Sequence, residues 1–263
     1  MSTDGSSAML RGLRAWWPWG VTVLFVLWQV DFQFIYGFVA EPIQKELGLT
    51  ASQAAAVSSV YLLSYGLMQL PAGWLLDRFS IRWLLPLMAA FSALSVFFFA
   101  RSEDYSDLLW GRIMAGTFMA FAFPASGKIA RMRLPANRFA LAMALADMCF
   151  GVGAVLAGGL PGLFGDVEWR ELMRWLGAIG LGLSILVWIS LGGVGKEQST
   201  FQPENLERGS VIQLLRRRSV FLGLLLYIWG AGLTFGFGGY WNLKLQESCG
   251  CTAPQVSEIS TGL

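Results

Sequence analysis

The stretch "GWLLDRFSIRW", residues 73–83, places one acidic and two basic side chains between two long apolar blocks. Crossing the hydrocarbon core of a bilayer takes roughly 20 apolar residues in a helix, and both flanking blocks approach or exceed this length. A short charged segment in such a position is typical of a turn between two transmembrane helices. The stretch therefore predicts a membrane protein in which Asp77, Arg78 and Arg82 lie outside the hydrocarbon.

The composition of the whole chain agrees with this prediction. Of its 263 residues, 55% are hydrophobic and 14% are charged, and the mean hydropathy is +0.55. Soluble chains carry about a quarter charged residues. A segment in lipid must satisfy its own backbone hydrogen bonds, so long apolar blocks predict helices. The sequence thus predicts an all-α, polytopic membrane helix bundle with about seven transmembrane helices. The seven blocks are Trp16–Ala40, Gln53–Leu76, Trp83–Ala100, Leu108–Ala130, Phe139–Phe164, Leu172–Gly195 and Val220–Leu243.

Several classes of function are disfavoured by residue types that the chain lacks. There is no histidine and there are three cysteines, so histidine metal sites and Ser-His-Asp triads are excluded. Cys249 and Cys251 form a C-x-C pair without further ligands nearby. We expect no catalytic residues, no metal and no cofactor, and therefore no enzyme. The expected partners are the lipid bilayer and a small-molecule solute, and no nucleic acid.

The distribution of basic residues predicts the orientation in the membrane. Cytoplasmic loops carry an excess of Lys and Arg. Thirteen basic residues fall on the side of the N-terminus and five on the other, with Arg112 inside a block. We therefore expect a cytoplasmic N-terminus, a retained first helix rather than a signal peptide, and an integral protein of a bacterial inner membrane. The thirteen are Arg11, Arg14, Arg78, Arg82, Lys128, Arg131, Arg133, Arg138, Lys196, Arg208, Arg216, Arg217 and Arg218.

The longest polar stretch after the N-terminus divides the chain. It predicts a six-helix bundle over residues 1–195, a cytoplasmic loop over 196–218, and a seventh helix with the start of a second bundle over 219–263. Asp31 and Arg112 lie inside the first and fourth blocks. Their similar positions hint at two related three-helix units.

Three motifs in the first six blocks resemble those of the major facilitator superfamily of secondary transporters. The charged turn follows the pattern G-x-L-x-D-R-x-x-x-R, through Gly73, Leu75, Asp77, Arg78 and Arg82. The fourth block contains "GRIMAGTFMAF", which resembles the R-x-x-x-G element of the family. The fifth contains "GVGAVLAGG", which has the small-residue spacing of a third motif.

The chain departs from the family's motifs at three positions. Ser80 stands where the family usually has a second glycine, Ala115 where it has glutamine, and Val155 where antiporters have proline. The third departure is an argument against an antiporter. The resemblance implies a transporter whose two six-helix halves rock around a central site, working as a proton-coupled symporter or a facilitator. The charged turn then has two possible roles, which can both hold: Gly73, Asp77, Arg78 and Arg82 form a conformational latch with Asp77 paired to an arginine, or the arginines only fix the topology.

The family usually has twelve helices, so the resemblance implies a chain that is truncated relative to twelve. We expect either a fragment or a short protein that assembles with another chain supplying the missing helices. On its own, such a chain would expose its cavity face to lipid, and we expect it to transport nothing and either to self-associate or to be degraded. The alternative is a non-transporting membrane assembly or a regulatory subunit.

Charged and polar side chains inside the blocks are the candidate site residues. An ion in mid-membrane costs at least about 2.5–3.5 kcal/mol on insertion scales, which usually marks function. Asp31 and Arg112 fall at similar depths, and Asp147 lies near the midplane. Three roles stay open for them: a structural ion pair, proton coupling, or direct solute contact. Helical spacing puts Asp31 opposite the polar stripe of the first block. The polar candidates are Gln29, Gln33 and Tyr36 in the first block and Tyr65 and Gln69 in the second.

Overall fold

The computed structural model describes the backbone of residues 3–164, 168–193, parts of 218–230 and residue 248. Side chains are described within 15–159 and 168–192, and at the same positions of the last two ranges. The described residues form α-helices and short turns, without a strand. The all-α prediction is therefore confirmed. The helices are α1 (Thr3–Leu47), α2 (Ala51–Arg78), α3 (Ile81–Ala100), α4 (Tyr105–Met119), α5 (Ala122–Arg133), α6 (Phe139–Phe164) and α7 (Trp169–Ser190).

Local sequence explains where several of these helices begin. Gly48 follows α1 with a φ of 63°, a conformation that glycine adopts at low cost. Thr50 then caps α2 in a reciprocal capping box with Gln53. The Asp104 side chain accepts a hydrogen bond from the Asp107 amide and caps α4. Three of the helix boundaries are thus set by residues readable in the sequence.

Five described stretches are long and apolar enough to cross a membrane. They agree with five of the predicted blocks, and α2 corresponds to a sixth. Most of the predicted seventh block lies outside the described residues, as does nearly all of the region after residue 195, so the predicted domain boundaries there stay predictions. The five are Ala15–Leu47, Ile81–Ala100, Tyr105–Arg133, Ala136–Gly159 and Trp169–Ser190.

Two predicted helices differ from the structure in their extent. The first runs over Thr3–Leu47 rather than Trp16–Ala40: Pro18 and Pro42 lie inside it without ending it, and it stops just before Gly48. The fourth block, Leu108–Ala130, lies within one stretch long and apolar enough to cross a membrane, Tyr105–Arg133, but the helix there is interrupted between Met119 and Ala122 and divides into α4 and α5. Proline has no amide hydrogen, and its ring clashes with the carbonyl four residues earlier. Pro124 stands in that relation to Ala120, which explains the break.

The packing places α1 at the centre of the bundle. It contacts α5, α6 and α7, while α3 packs along α7 and α4, and α2 packs along α4. The Trp28 indole of α1 lies against Gly180 of α7 and donates its Nε1 hydrogen to the Leu176 carbonyl at 2.9 Å. Large apolar side chains point outward on the α3 and α7 faces, among them Trp83 and Trp175. This outer surface suits contact with lipid.

The end of the bundle opposite the α2–α3 turn is tied together by one carboxylate. Glu46 of α1 accepts a hydrogen bond from the Trp169 indole at 2.6 Å. It also forms an ion pair with Arg170 at 2.8 Å. Arg170 in turn donates to the carbonyl of Ala100, the last residue of α3, at 3.1 Å. The ends of α1, α3 and α7 are therefore joined.

Glycine 116 allows α4 to approach α2 closely. A Cβ at this position would meet the Ser64 hydroxyl and lie 2.5 Å from the Tyr61 carbonyl oxygen. The second contact is to backbone, so a side chain could be accommodated only by moving one helix. Close approach through small residues is a common way for membrane helices to pack.

We predict that Gly116→Ala lowers the stability of the purified protein by about 1–3 kcal/mol, the usual cost of overpacking. Gly66→Ala in α2 is the matched control, since nothing lies within 4 Å of a Cβ there. Alanine is the better helix former, so the control should be unchanged or slightly more stable. Thermal unfolding in detergent compares the two. Equal melting temperatures would contradict the packing described here.

Candidate functional site

The Arg112 side chain of α4 is buried among aromatic rings. It is 1% exposed. Its guanidinium carbon lies 4.3 Å from the Tyr36 ring centroid, 4.5 Å from Phe32 and 4.9 Å from Phe99. Tyr61 is at 5.6 Å. A cation over an aromatic face is attracted by the ring quadrupole, more strongly when it is desolvated. Rings from α1, α2 and α3 therefore hold this charge.

No acidic partner accompanies this arginine in the described part of the chain. The ion pairs found there involve Lys45, Lys128 and Arg170. Arg112 donates one hydrogen bond, from Nη1 to the Phe32 carbonyl at 3.4 Å. Its Nε and Nη2 atoms are buried and have no hydrogen-bond partner. Two nitrogen donors of a planar fork are thus unpartnered and buried, so an acceptor would reach them only through a local rearrangement.

A recess between α1, α2 and α4 leads to the arginine. It has a volume of about 370 Å³, open space at its mouth included, and seven residues line it. Apart from Arg112, all of them are uncharged. The space that a water-sized molecule can occupy inside it is about 20 Å³, so in this conformation the recess admits water, and a larger solute would require the helices to move. The lining residues are Gln33, Phe34, Gly37, Ser58, Tyr61, Leu62 and Arg112.

The other polar candidates of α1 and α2 surround the recess without all lining it. Gln29 is buried and donates to the Tyr65 hydroxyl at 3.2 Å, while its Oε1 atom has no partner. The Tyr65 ring stacks on Tyr61. Tyr36 contributes its ring face to Arg112, and its hydroxyl donates to the Ala54 carbonyl. Gln69 is half-buried, one turn of α2 beyond Tyr65.

The two acidic candidates do not reach the arginine. Asp31 is 7% exposed and forms no ion pair with Arg112 in the described residues. Its backbone lies 3.4 Å from where Gly153 of α6 would carry a Cβ, and its Oδ1 atom has no hydrogen-bond partner. Asp147 is exposed on α6. Similar depth did not bring Asp31 and Arg112 together, because they leave α1 and α4 in different directions.

The charged turn is joined to α5 through Lys128. Its ammonium group lies 3.1 Å from the Asp77 carboxylate and also donates to the Leu76 carbonyl near the end of α2. The described ion pair of Asp77 is therefore to a lysine, where an arginine was expected. Arg78 lies over the Trp74 ring and Arg82 over the Trp83 ring. Gly73 is half-buried, with nothing within 4 Å of a Cβ.

Sequence reasoning did not single out three of these contacts. Ser58 lines the recess, Lys128 holds the turn, and Phe99 reaches Arg112 from α3. One feature of the sequence could have identified Ser58: it is a polar residue of an apolar helix and lies one turn before Tyr61 and Leu62. Lys128 was considered only in the count of basic residues. Nothing in the sequence distinguishes Phe99 from its neighbouring phenylalanines.

Comparison with known proteins gives concordant results. The family model described as Major Facilitator Superfamily matches residues 21–260. The "Uncharacterized transporter YybO" of Bacillus subtilis is 34% identical over 153 residues, 57% of this chain and 35% of that protein. The "Probable galactarate/D-glucarate transporter GarP" of Escherichia coli K12 is 26% identical over 73% of this chain and 46% of its own. The chain thus spans less than half the length of these curated relatives.

A solved structure shows the same fold. The inward-facing, unoccupied structure of a bacterial homolog to the human lysosomal transporter Spinster superposes with a TM-score of 0.77. The match covers 94% of this chain and 58% of that one, at 19% sequence identity. A sequence identity of 19% supports a shared fold and does not indicate a shared function.

We predict that Lys128→Gln loosens the turn. In a background with the native cysteines replaced by serine, a Ser80→Cys reporter should react faster with a membrane-impermeant maleimide once Lys128 is lost. Asp77→Asn should have a smaller effect, because Lys128 keeps its bond to the Leu76 carbonyl. Arg131→Gln is the matched control, since Arg131 is exposed and lies over Phe139. Identical rates in all variants would show that the turn has no such tie.

Proposed function

We propose that this chain, which belongs to the major facilitator superfamily, contributes the anion-binding site of a transporter that moves a small organic anion by alternating access. The observation that carries the proposal is Arg112, a buried cation beside a recess with two nitrogen atoms unpartnered. A guanidinium presents its donors in a planar fork that matches a carboxylate. GarP is named for galactarate and D-glucarate, which are carboxylates, and this supports the proposal.

Energetics favour an anion as the missing partner. A buried charge without a counter-ion is costly even after relaxation of its surroundings. Aromatic faces lower this cost for Arg112 but occupy none of its hydrogen-bond donors. An anion in the recess would supply both the opposite charge and the acceptors. A neutral solute would supply neither charge nor a bidentate acceptor.

The proposal extends to coupling and orientation. Asp31 is the better candidate of the two acidic residues for taking a proton, since it is almost fully buried whereas Asp147 is exposed. We place the N-terminus and the α2–α3 turn in the cytoplasm of a bacterium, on the excess of basic residues at that side. Symport with a proton follows from these assignments, and facilitated diffusion is the outcome if Asp31 has no such role.

We predict that Arg112→Gln abolishes anion binding. Removing one partner of a buried charge pair costs about 2–5 kcal/mol of binding free energy, which corresponds to a loss of affinity of about thirtyfold or more. Arg112→Lys should bind the anion more weakly than the unaltered chain and more tightly than Arg112→Gln, because lysine keeps the positive charge but lacks the planar pair of donors. Isothermal titration of the purified chain with gluconate, and with uncharged glucose as the matched ligand, measures this. Arg101→Gln is the control, as Arg101 is exposed at the end of α3. Equal binding of gluconate and glucose would refute an anion site.

We predict a separate effect for Asp31→Asn. If Asp31 takes the proton, a transporter containing this chain should lose accumulation driven by a pH gradient and keep downhill exchange of the anion. Asp147→Asn should leave both intact, because Asp147 is exposed and apart from the recess. Proteoliposome uptake with and without an imposed gradient separates the two activities. Gradient-driven accumulation by Asp31→Asn would remove the aspartate from the coupling mechanism.

A further inference from the structure

Two uncharged polar side chains line the recess together with Arg112. They are Gln33 of α1 and Ser58 of α2. Both are half-buried, and neither forms a hydrogen bond with any part of the chain that the structure describes. Their donors and acceptors therefore point to a ligand or to solvent.

Nearby side chains of the same types form hydrogen bonds within the described residues, whereas those of Ser58 and Gln33 do not. Serine in a helix usually returns its hydroxyl hydrogen to a carbonyl three or four residues earlier. Ser59 does so to Ala55, and Ser64 to Tyr61. The amide of Gln29, one turn before Gln33, donates to Tyr65. Two described α2 serines, Ser52 and Ser58, leave their hydroxyls without a hydrogen bond; Ser52 is exposed in the first turn of the helix, and Ser58 is the one that lines the recess.

The chemistry of the two groups indicates what they would bind. An amide offers donors and an acceptor, and a serine hydroxyl offers both as well. Alcohol groups also donate and accept, so they match this pair, whereas a hydrocarbon chain would leave it unpartnered. The remaining lining residues on α1 and α2 are Phe34, Gly37, Tyr61 and Leu62, none of them charged. Arg112 is the single charged residue among those that line the recess.

We infer that Gln33 and Ser58 bind hydroxyl groups of a solute whose carboxylate lies on Arg112, which makes them the residues that select a hydroxylated monocarboxylate. The inference rests on the anion site proposed above. It adds that the uncharged wall discriminates between solutes of equal charge. It also adds that a second carboxylate on the solute meets no cation in this recess.

Matched anions and matched variants test this selectivity. Gluconate and hexanoate have the same carbon number and charge, and only gluconate carries hydroxyl groups. Titration of the purified full chain should show tighter binding of gluconate. Ser58→Ala and Gln33→Leu should each weaken gluconate binding about fivefold, the effect of losing one neutral hydrogen bond. They should leave hexanoate binding unchanged. Ser59→Ala is the control, since the Ser59 hydroxyl is already bonded to Ala55.

The outcomes separate this inference from the proposed function. Equal affinities for gluconate and hexanoate, both lost in Arg112→Gln, would overturn the hydroxyl site and leave the anion site standing. Unchanged gluconate binding in both Ser58→Ala and Gln33→Leu would do the same. Binding that survives Arg112→Gln, or no binding of either anion by the unaltered chain, would overturn the proposed function and this inference with it. Tighter binding of galactarate than of gluconate would contradict the preference for one carboxylate.

Discussion

A guanidinium held by aromatic rings instead of by an acid is the constraint on which the centre of this bundle depends. Four rings from α1, α2 and α3 surround Arg112 of α4. They can do so only if α4 comes close to its neighbours, and two glycines allow it. Gly111 lies against Phe99, and Gly116 lies against the backbone of α2. The R-x-x-x-G element thus combines the charge with one of the close contacts that place the charge among the rings.

The sequence predicted the helices well and their contacts less well. A long apolar segment in lipid satisfies its backbone hydrogen bonds by forming a helix. The described helices could therefore be predicted from composition and length. The depths of Asp31, Arg112 and Asp147 were estimated from the rise of about 1.5 Å per helical residue, and they stay predictions. The direction in which a side chain leaves its helix depends on how the helices are rotated and packed. Similar predicted depth left a pairing of Asp31 with Arg112 open, whereas helical spacing put Asp31 opposite the glutamine stripe, and the structure places its backbone beside Gly153 of α6.

Ser58 and Lys128 were missed from the sequence for the same physical reason. Ser58 and Lys128 are ordinary in composition, since serines in helices commonly bond to their own backbone and lysines commonly flank membrane spans. Only tertiary packing shows that the Ser58 hydroxyl is unused and that Lys128 reaches Asp77. The break before Ala122 is a different case: Pro124 was visible, but prolines inside α1, α2 and α3 do not divide those helices, so a proline alone did not predict it.

The aromatic surroundings of Arg112 suit a carrier better than an acidic partner would. A carboxylate beside the arginine would stabilise it strongly, but a solute anion would then have to displace that carboxylate. Rings stabilise the cation through their faces and leave Nε and Nη2 open. Anion binding would therefore displace no carboxylate from Arg112, and the bound anion would gain a charge-assisted contact without the breaking of an ion pair. A moderate free energy of binding also allows the anion to be released. A transporter requires release as much as it requires binding.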